Sequence, residues 1–340
     1  MKRLLLRLLL FLAVLEAAGW VLLAHQQFWY GEAERRLSQG QVQVAFIGSS
    51  RVADAVVPEQ FSRAAGLAES AAVNLGRGYS TLAEHYFGLR RLAGASRQGL
   101  RGTVVFLEAA GGMPDFTTTW DEPWLAPEYP DLLARTMALA DLPSFVFRSP
   151  ASLEEKAAVG TEMVSSLAAL RGSWLLYAHQ LAGAATGARL LSAGGVLTGG
   201  EEVRVGRELA LGSVQRQLQD QKQVSKQQAD LSVLASIAAL VKREGGELVL
   251  FTMPLSSVQE APLRTASGRR NCDAAGRLLA SWGIPLLRVA FPVTDEDFPD
   301  SWHLRRSRAP EFSQALAQSW LRFRAGSDAR NGASNPCLAS

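Results

Sequence analysis

The stretch that decides the fold reads Val44-Ala45-Phe46-Ile47-Gly48-Ser49-Ser50-Arg51. A short apolar run with β-branched and aromatic residues predicts a buried strand, and Gly48 lets the chain turn sharply after it. In open α/β sheets ligands bind at the carboxyl ends of the strands, so the two serine hydroxyls stand where chemistry is expected. The alternative is that these serines only cap a helix, since serine is a common N-cap residue.

A second stretch, residues 297–304, favours the catalytic interpretation. It contains Asp300 and His303 at D-x-x-H spacing, and of the four histidines in the chain only His303 follows an aspartate by three residues. A serine nucleophile needs a base to accept its proton, and the base needs an acid to orient it. The sequence therefore predicts a catalytic group with Ser50 as nucleophile, His303 as base and Asp300 as the orienting acid.

Short apolar runs alternate with helical patterns along much of the chain. Strands are predicted at about 42–47, 71–75, 103–107, 247–252 and 285–289. Residues 54–66 are predicted to contain a turn and a helix, with Pro58 near the start of the helix. Further helices are predicted at about 80–92, 231–242, 268–282 and 310–323, the last with Phe312, Leu316, Trp320 and Leu321 on one face. This alternation predicts an α/β fold, in which one parallel sheet is flanked by helices. Residues 113–230 depart from the pattern and are expected to form a mainly helical insertion.

The first 30 residues are expected to be a membrane anchor. Lys2, Arg3 and Arg7 precede an apolar run that reaches Ala24 and is interrupted only by Glu16. About 20 mostly apolar residues suffice to span a bilayer, and basic residues ahead of the run predict a cytoplasmic N-terminus and an exported body. A cleaved signal peptide is the alternative. The body is then residues 31–325, and the polar residues 326–340 are expected to be a flexible tail.

Composition excludes several classes of function. The net charge is only +3, and three basic residues fall in the first seven positions, so the body has no electrostatic footprint for nucleic acid. The sequence has no zinc pattern, no P-loop and no G-x-G-x-x-G after a strand, so neither a metal nor a cofactor is predicted. Cys272 and Cys337 could pair in an exported protein, but their spacing alone does not show that they meet.

Taken together, these motifs resemble the SGNH (GDSL-type) hydrolase superfamily. In that family a strand is followed by G-D-S; here it is followed by G-S-S, as in membrane-anchored members similar to the D-alanyl transfer protein and alginate-type O-acetylation proteins. The last family block, D-x-x-H, is matched by Asp300 and His303. Residues 73–80 take the place of the second block. The third block, G-x-N-D, is missing, because the strand at 104–107 runs into Glu108 with no asparagine.

The resemblance covers about residues 42–112 and 246–323 and implies a flavodoxin-like sheet. It also implies an oxyanion pocket formed by the backbone N–H groups of Ser50 and Gly78, with Gly76 as the alternative glycine. The side-chain donor of the third block is absent, and losing one such donor typically costs ~10²–10³ in rate. Three further residues near the site are candidates for substrate binding: Arg51, Asn74 and Arg77. Arg51 and Arg77, with arginines 305, 306 and 308, would favour an acidic glycan or phosphorylated polymer if they face the site; the alternative is ordinary surface charge.

The function that the resemblance implies is an exported, membrane-anchored serine esterase or acyltransferase. It would act on an acyl ester in O-acylation of a cell-envelope polymer or exopolysaccharide, at the inner or cytoplasmic membrane and beside a membrane-bound acyltransferase. Two alternatives stay open. One is a general esterase with a small-molecule substrate. The other is a catalytically silent SGNH-like domain that binds glycan or scaffolds an envelope complex, which the missing third block permits.

Overall fold

The computed structural model describes residues 28–77, 81–109 and 226–326, together with residues 7, 14, 112, 114–116, 118, 147, 153–154, 156–157, 190–191 and 195–196. By compactness the chain divides into two units. One comprises Met1–Glu32 and Asp121–Gly199 and includes a short antiparallel pair, Leu190–Leu191 with Gly195–Val196. The other comprises Ala33–Trp120 and Gly200–Ser340 and contains the sheet and the candidate site.

The helices and remaining strands follow in chain order as α1 (Phe28–Ser38), β1 (Val44–Ile47), α2 (Ser50–Ala55), α3 (Pro58–Ala64), β2 (Ala72–Asn74), α4 (Leu82–Ala95), β3 (Val104–Ala109), α5 (Lys226–Asp230), α6 (Val233–Arg243), β4 (Glu247–Thr252), α7 (Ser257–Arg264), α8 (Ala266–Trp282), β5 (Leu286–Leu287) and α9 (Ala309–Arg324). Short 3₁₀ helices cover Glu69–Ala71, Asp295–Asp297 and Arg306–Arg308.

Strands β1 to β5 form one parallel sheet in the order β2-β1-β3-β4-β5. Val44 of β1 lies opposite Ala72 on one side and Val104 on the other. This order is one of the two common doubly wound orders, whose ligands bind where the strand order reverses, between β1 and β3. The predicted α/β fold with a parallel sheet flanked by helices is therefore confirmed. Ser50 follows β1 at that reversal.

Aromatic side chains fill the core between the sheet and helices α3 and α9. Phe46 and Phe106 stack on neighbouring strands with ring centroids 5.1 Å apart. Phe61 of α3 meets Phe46 edge-on at 4.8 Å and also contacts Trp320 of α9. Strand β1 is buried along its whole length, as expected of a central parallel strand covered on both faces. This packing fixes the end of β1, from which Ser50 projects.

Local details of the helices agree in part with the prediction. The turn and helix predicted within 54–66 are confirmed, because Pro58 begins α3 and the residue before a proline disfavours helical backbone. Residues 257–264, for which no helix was predicted, form α7. Leu321 is 42% exposed although it was placed on the apolar face of the closing helix, while Phe312, Leu316 and Trp320 are buried. It follows Trp320 directly and is therefore turned about 100° away around the helix.

The predicted insertion and anchor lie mostly outside the described residues. At the edges of the 113–230 stretch, the Phe116 ring lies 5.4 Å from that of Trp282, and the carbonyl of Thr118 accepts a hydrogen bond from the Val233 N–H. Of residues 1–27 only Arg7 and Val14 are described. Within the described part of the chain, no helix is both long and apolar enough to cross a membrane. The insertion, the anchor and the tail stay predictions.

Candidate active site

The structure brings the three predicted catalytic side chains together, although Ser50 and His303 are 253 residues apart. The Ser50 Oγ lies 2.7 Å from Nε2 of His303. Nδ1 of the same ring lies 2.6 Å from Oδ2 of Asp300. With Nδ1–H donating to the carboxylate, Nε2 is left as the acceptor for the serine proton. The arrangement is the nucleophile–base–acid geometry that acyl transfer requires.

The two serines after β1 divide two roles between them. Ser49 is the N-cap of α2, and its hydroxyl accepts a hydrogen bond of 3.2 Å from the Arg51 N–H. Ser50 is the first helical residue, and its hydroxyl is engaged with His303. The capping interpretation therefore holds for Ser49, and Ser50 is the serine that lies against His303. The Ser50 N–H stands at a helix position that has no intrahelical acceptor, which leaves it available as an oxyanion donor.

Gly48 is required by close approach of other atoms. A Cβ on Gly48 would lie 2.7 Å from both Cβ and Oε2 of Glu108 and would overlap a methyl group of Val52. Any side chain here would push β3 and α2 apart. The turn after β1 is therefore packed tightly against the end of β3.

Asp300 is held as a carboxylate by its own loop. Burial alone would raise its pKa, but hydrogen bonds and charge from His303, with a further bond from the Trp302 N–H, outweigh burial, so the pKa of Asp300 is lowered. Its Oδ1 accepts from the N–H groups of His303 at 2.7 Å and Trp302 at 3.0 Å. Ser301, which lies between Asp300 and Trp302, adopts φ 59°, and no other described non-glycine residue has a positive φ. The loop is strained in a way that turns both N–H groups to one carboxylate.

The structure corrects the assignment of Gly76 as an alternative oxyanion donor. Its N–H already donates to Oδ1 of Asn74 at 2.8 Å. A Cβ at this position would clash with Val52 and with the backbone of Ala53. Gly76 is therefore a packing glycine. The favoured donor, Gly78, lies outside the described residues together with residues 79 and 80, and its role stays a prediction.

The structure also argues against substrate binding by Asn74 and Arg51. The Asn74 amide donates to the carbonyls of Val52 and Val56, at 2.9 and 2.7 Å, so its polar atoms all serve to hold α2 against the end of β2. Arg51 is only 2% exposed and cannot present its guanidinium to a polymer. Arg77 remains a candidate, being partly exposed, and its N–H donates to the Gly48 carbonyl at 2.9 Å.

The arginines after His303 are occupied by surface contacts. Arg306 pairs with Asp54 at 2.7 Å while remaining 81% exposed. Arg308 contacts Asp297 and Glu311, and the Arg305 side chain donates to the Glu296 carbonyl. The exposed pair of Arg306 is ordinary surface chemistry, and the half-buried Arg308 is already engaged by two carboxylates. They lend no support to recognition of an acidic polymer.

A buried ion pair behind the nucleophile was missed by the sequence reasoning. Glu108, near the end of β3, lies 3.6 Å from Arg51, and both side chains are 2% exposed. Burial lowers the pKa of the Arg51 guanidinium, while the carboxylates of Glu108 and Asp300 act in the opposite direction. The signal that could have revealed the pair was Glu108 itself, a single charged residue in an otherwise apolar strand. A buried carboxylate requires a partner, so a nearby cation could have been expected.

Among the residues that the structure describes, no group of three or more histidines, cysteines, aspartates or glutamates could hold a metal ion. The described site brings together a serine hydroxyl, an imidazole, a carboxylate and a backbone N–H. No protein-family model matches this sequence, and no curated protein matches it.

Proposed function

We propose that the protein is a serine esterase or acyltransferase of the SGNH type. The single observation that carries the proposal is the unbroken line of contacts from Ser50 Oγ through His303 to Asp300, at 2.7 and 2.6 Å. Its position at the strand-order reversal of the sheet adds support, because that is where α/β sheets bind ligands.

In the proposed reaction, Ser50 Oγ attacks the carbonyl carbon of an acyl ester while Nε2 of His303 takes the hydroxyl proton. The tetrahedral oxyanion is stabilised by the Ser50 N–H and a second backbone donor, for which Gly78 is the candidate. As the carbon–oxygen bond of the ester breaks, His303 returns the proton to the leaving alcohol. Water, or the hydroxyl of an acceptor, then gives its proton to His303 while its oxygen attacks the acyl carbon. As the bond from that carbon to Ser50 Oγ breaks, His303 returns the proton to Ser50 Oγ. Asp300 stabilises the imidazolium in both halves.

The finer part of the proposal is an exported, membrane-anchored protein that acts on O-acyl groups of an envelope polymer, beside a membrane-bound acyltransferase. Three observations support it: the basic and apolar N-terminal sequence, the G-S-S form of the first block, and the participation of Cys272 in a disulfide. Disulfides persist in oxidising compartments. The only other cysteine in the sequence, Cys337, lies outside the described residues. A reporter fused after residue 340 should be active only outside the cytoplasm; activity in the cytoplasm would contradict this part.

Hydrolysis of p-nitrophenyl acetate by the full chain tests the chemistry. We expect turnover that falls at least about 10⁴-fold in Ser50→Ala, since the nucleophile is lost. Ser281→Ala is the matched control, because that exposed serine only donates to the Leu278 carbonyl, and it should keep the wild-type rate. Absence of turnover in the wild-type protein, or an unchanged rate in Ser50→Ala, would favour the scaffold alternative.

Acetylated polysaccharide as substrate would separate polymer modification from general esterase activity. The proposal expects release or transfer of acetate from the polymer at a higher kcat/KM than from p-nitrophenyl acetate. Equal or lower values for the polymer would favour the small-molecule esterase.

A further inference from the structure

One buried guanidinium, that of Arg51, links the turn that carries Ser50 to the ends of two other strands and to the loop that carries Asp300 and His303. It is attached to the turn after β1, one residue from Ser50. It lies 3.6 Å from Glu108 at the end of β3 and donates to the Pro254 carbonyl, just after β4, at 2.9 Å. Its Cζ also lies 5.4 Å from the ring centroid of Trp302, within the loop that carries Asp300 and His303. Three strand ends and the base loop therefore meet on one side chain.

Glu108 completes this arrangement on the nucleophile side. Its Oε2 accepts hydrogen bonds from both the N–H and the hydroxyl of Ser49, each at 2.8 Å. The backbone conformation of Ser49, which sets the direction of the Ser50 side chain, is thus fixed by a carboxylate from another strand. A buried carboxylate beside a developing oxyanion would oppose catalysis, so its charge has to be balanced. Arg51 supplies the balancing charge.

We propose that Arg51, paired with Glu108, is a positioning residue that holds the Ser50 turn in register with the Asp300–His303 loop. Ser50 and His303 lie in segments that are far apart along the chain, so no nearby covalent link holds them together. Their hydrogen bond requires the two segments to be positioned to within about 0.5 Å. A planar guanidinium can serve a carboxylate, a carbonyl and an aromatic face at once, which a lysine ammonium cannot. The inference rests on the proposed function for its kinetic readout, but its structural readout is independent.

The first test measures the rate at which an alkyl fluorophosphonate labels Ser50 in the full chain. In that reaction Ser50 Oγ bonds to phosphorus, fluoride leaves, and His303 takes the proton. The variants are Arg51→Met, Arg51→Lys, Glu108→Gln and the double variant Arg51→Met with Glu108→Gln. We expect labelling to fall about 10²-fold in each, since misplacement by about 1 Å costs that much. Arg63→Met, which removes an exposed ion pair with Glu69, should label at the wild-type rate.

Urea unfolding of the same variants separates positioning from stability. Removing one partner of a buried pair is strongly destabilising, whereas replacing both is often tolerated. The double variant should therefore regain most of the stability lost in the single variants while its labelling stays slow. A double variant that is stable and also labels at the wild-type rate would overturn the inference.

The independent readout is the NMR resonance of the His303 ring proton that is shared with Asp300, measured on histidine-labelled protein. This resonance is assigned by its absence from the spectrum of His303→Gln. We expect this resonance to shift or vanish in the folded double variant. If the wild-type protein is not labelled but the resonance depends on Arg51, the proposed function fails and the positioning role stands. If labelling occurs in the wild type and the resonance is unchanged in the double variant, the positioning role fails and the function stands.

Discussion

His85 should make the protein sensitive to mild acid. It is buried on α4, and this burial, with a smaller contribution from the charge of Arg77, lowers its pKa from 6.5 to about 4. A histidine with a lowered pKa in the folded state takes up its proton first in the unfolded chain. His85 therefore does not make the free energy of unfolding depend on pH well above pH 6.5. As the pH falls from 6.5 towards 4, protonation of the unfolded chain at His85 lowers the free energy of unfolding.

The magnitude follows from the two pKa values. Between pH 7.5 and pH 5 the linkage relation gives a loss of about 2 kcal/mol in the free energy of unfolding, rising to about 3.4 kcal/mol below pH 4. Urea unfolding at half-unit pH intervals would measure it in the wild-type protein and in His85→Gln, which cannot titrate. The quantity to compare is the difference between the two profiles, because other histidines and carboxylates contribute to both. Profiles that run parallel from pH 7.5 to pH 5 would refute the reasoning.

Three further predictions concern residues around the site. Asp300→Asn should lower the ester-cleavage rate about 10⁴-fold, because an amide favours the wrong tautomer of His303. Because the pKa of Asp300 is lowered in the folded protein, its carboxylate stabilises the wild type above pH 4, and this stability is lost as the pH falls through the lowered pKa. Asp300→Asn should lack this contribution to the free energy of unfolding. Ser301→Gly should change the free energy of unfolding by less than about 1 kcal/mol, whereas Ser301→Val should cost about 1–3 kcal/mol by thermal unfolding, since φ 59° disfavours a β-branched residue. Asn74→Ala should cost about 2–4 kcal/mol in urea unfolding, because two carbonyls and the Gly76 N–H lose their partner; a loss below 1 kcal/mol would contradict the bracing role.

The sheet was predictable because central parallel strands are buried on both faces and so appear as continuous apolar runs. The segments at 44–47 and 247–252 are of this kind. Helix boundaries were harder to predict from the sequence. Residues 257–264 have a polar composition, yet they form a helix in which Gln259 and Leu263 are buried. Tertiary packing, rather than local propensity, decides such a segment.

The site was predictable only in part. Ser50, Asp300 and His303 could be proposed as catalytic residues from the sequence alone, because their residue types, their spacing and their positions after predicted strands can all be read from it. The roles of Arg51 and Asn74 were not visible, because whether a polar side chain faces substrate or serves the backbone depends on which neighbours the fold supplies. The same applies to Gly76, whose N–H is satisfied by an asparagine two residues earlier.

The separation of Ser50 and His303 along the chain sets the order in which the site can be built during synthesis. The turn after β1 emerges from the ribosome early, whereas residues 110–246 must be made before β4 can pair with β3, and the loop that carries His303 comes later still. A nascent or truncated chain thus carries a serine with no base, and an unassisted serine hydroxyl is a poor nucleophile. On the proposed function, a chain cut before residue 300 would be inert towards esters even with its first three strands in place, and reactivity would be withheld until the loop that carries His303 has been made.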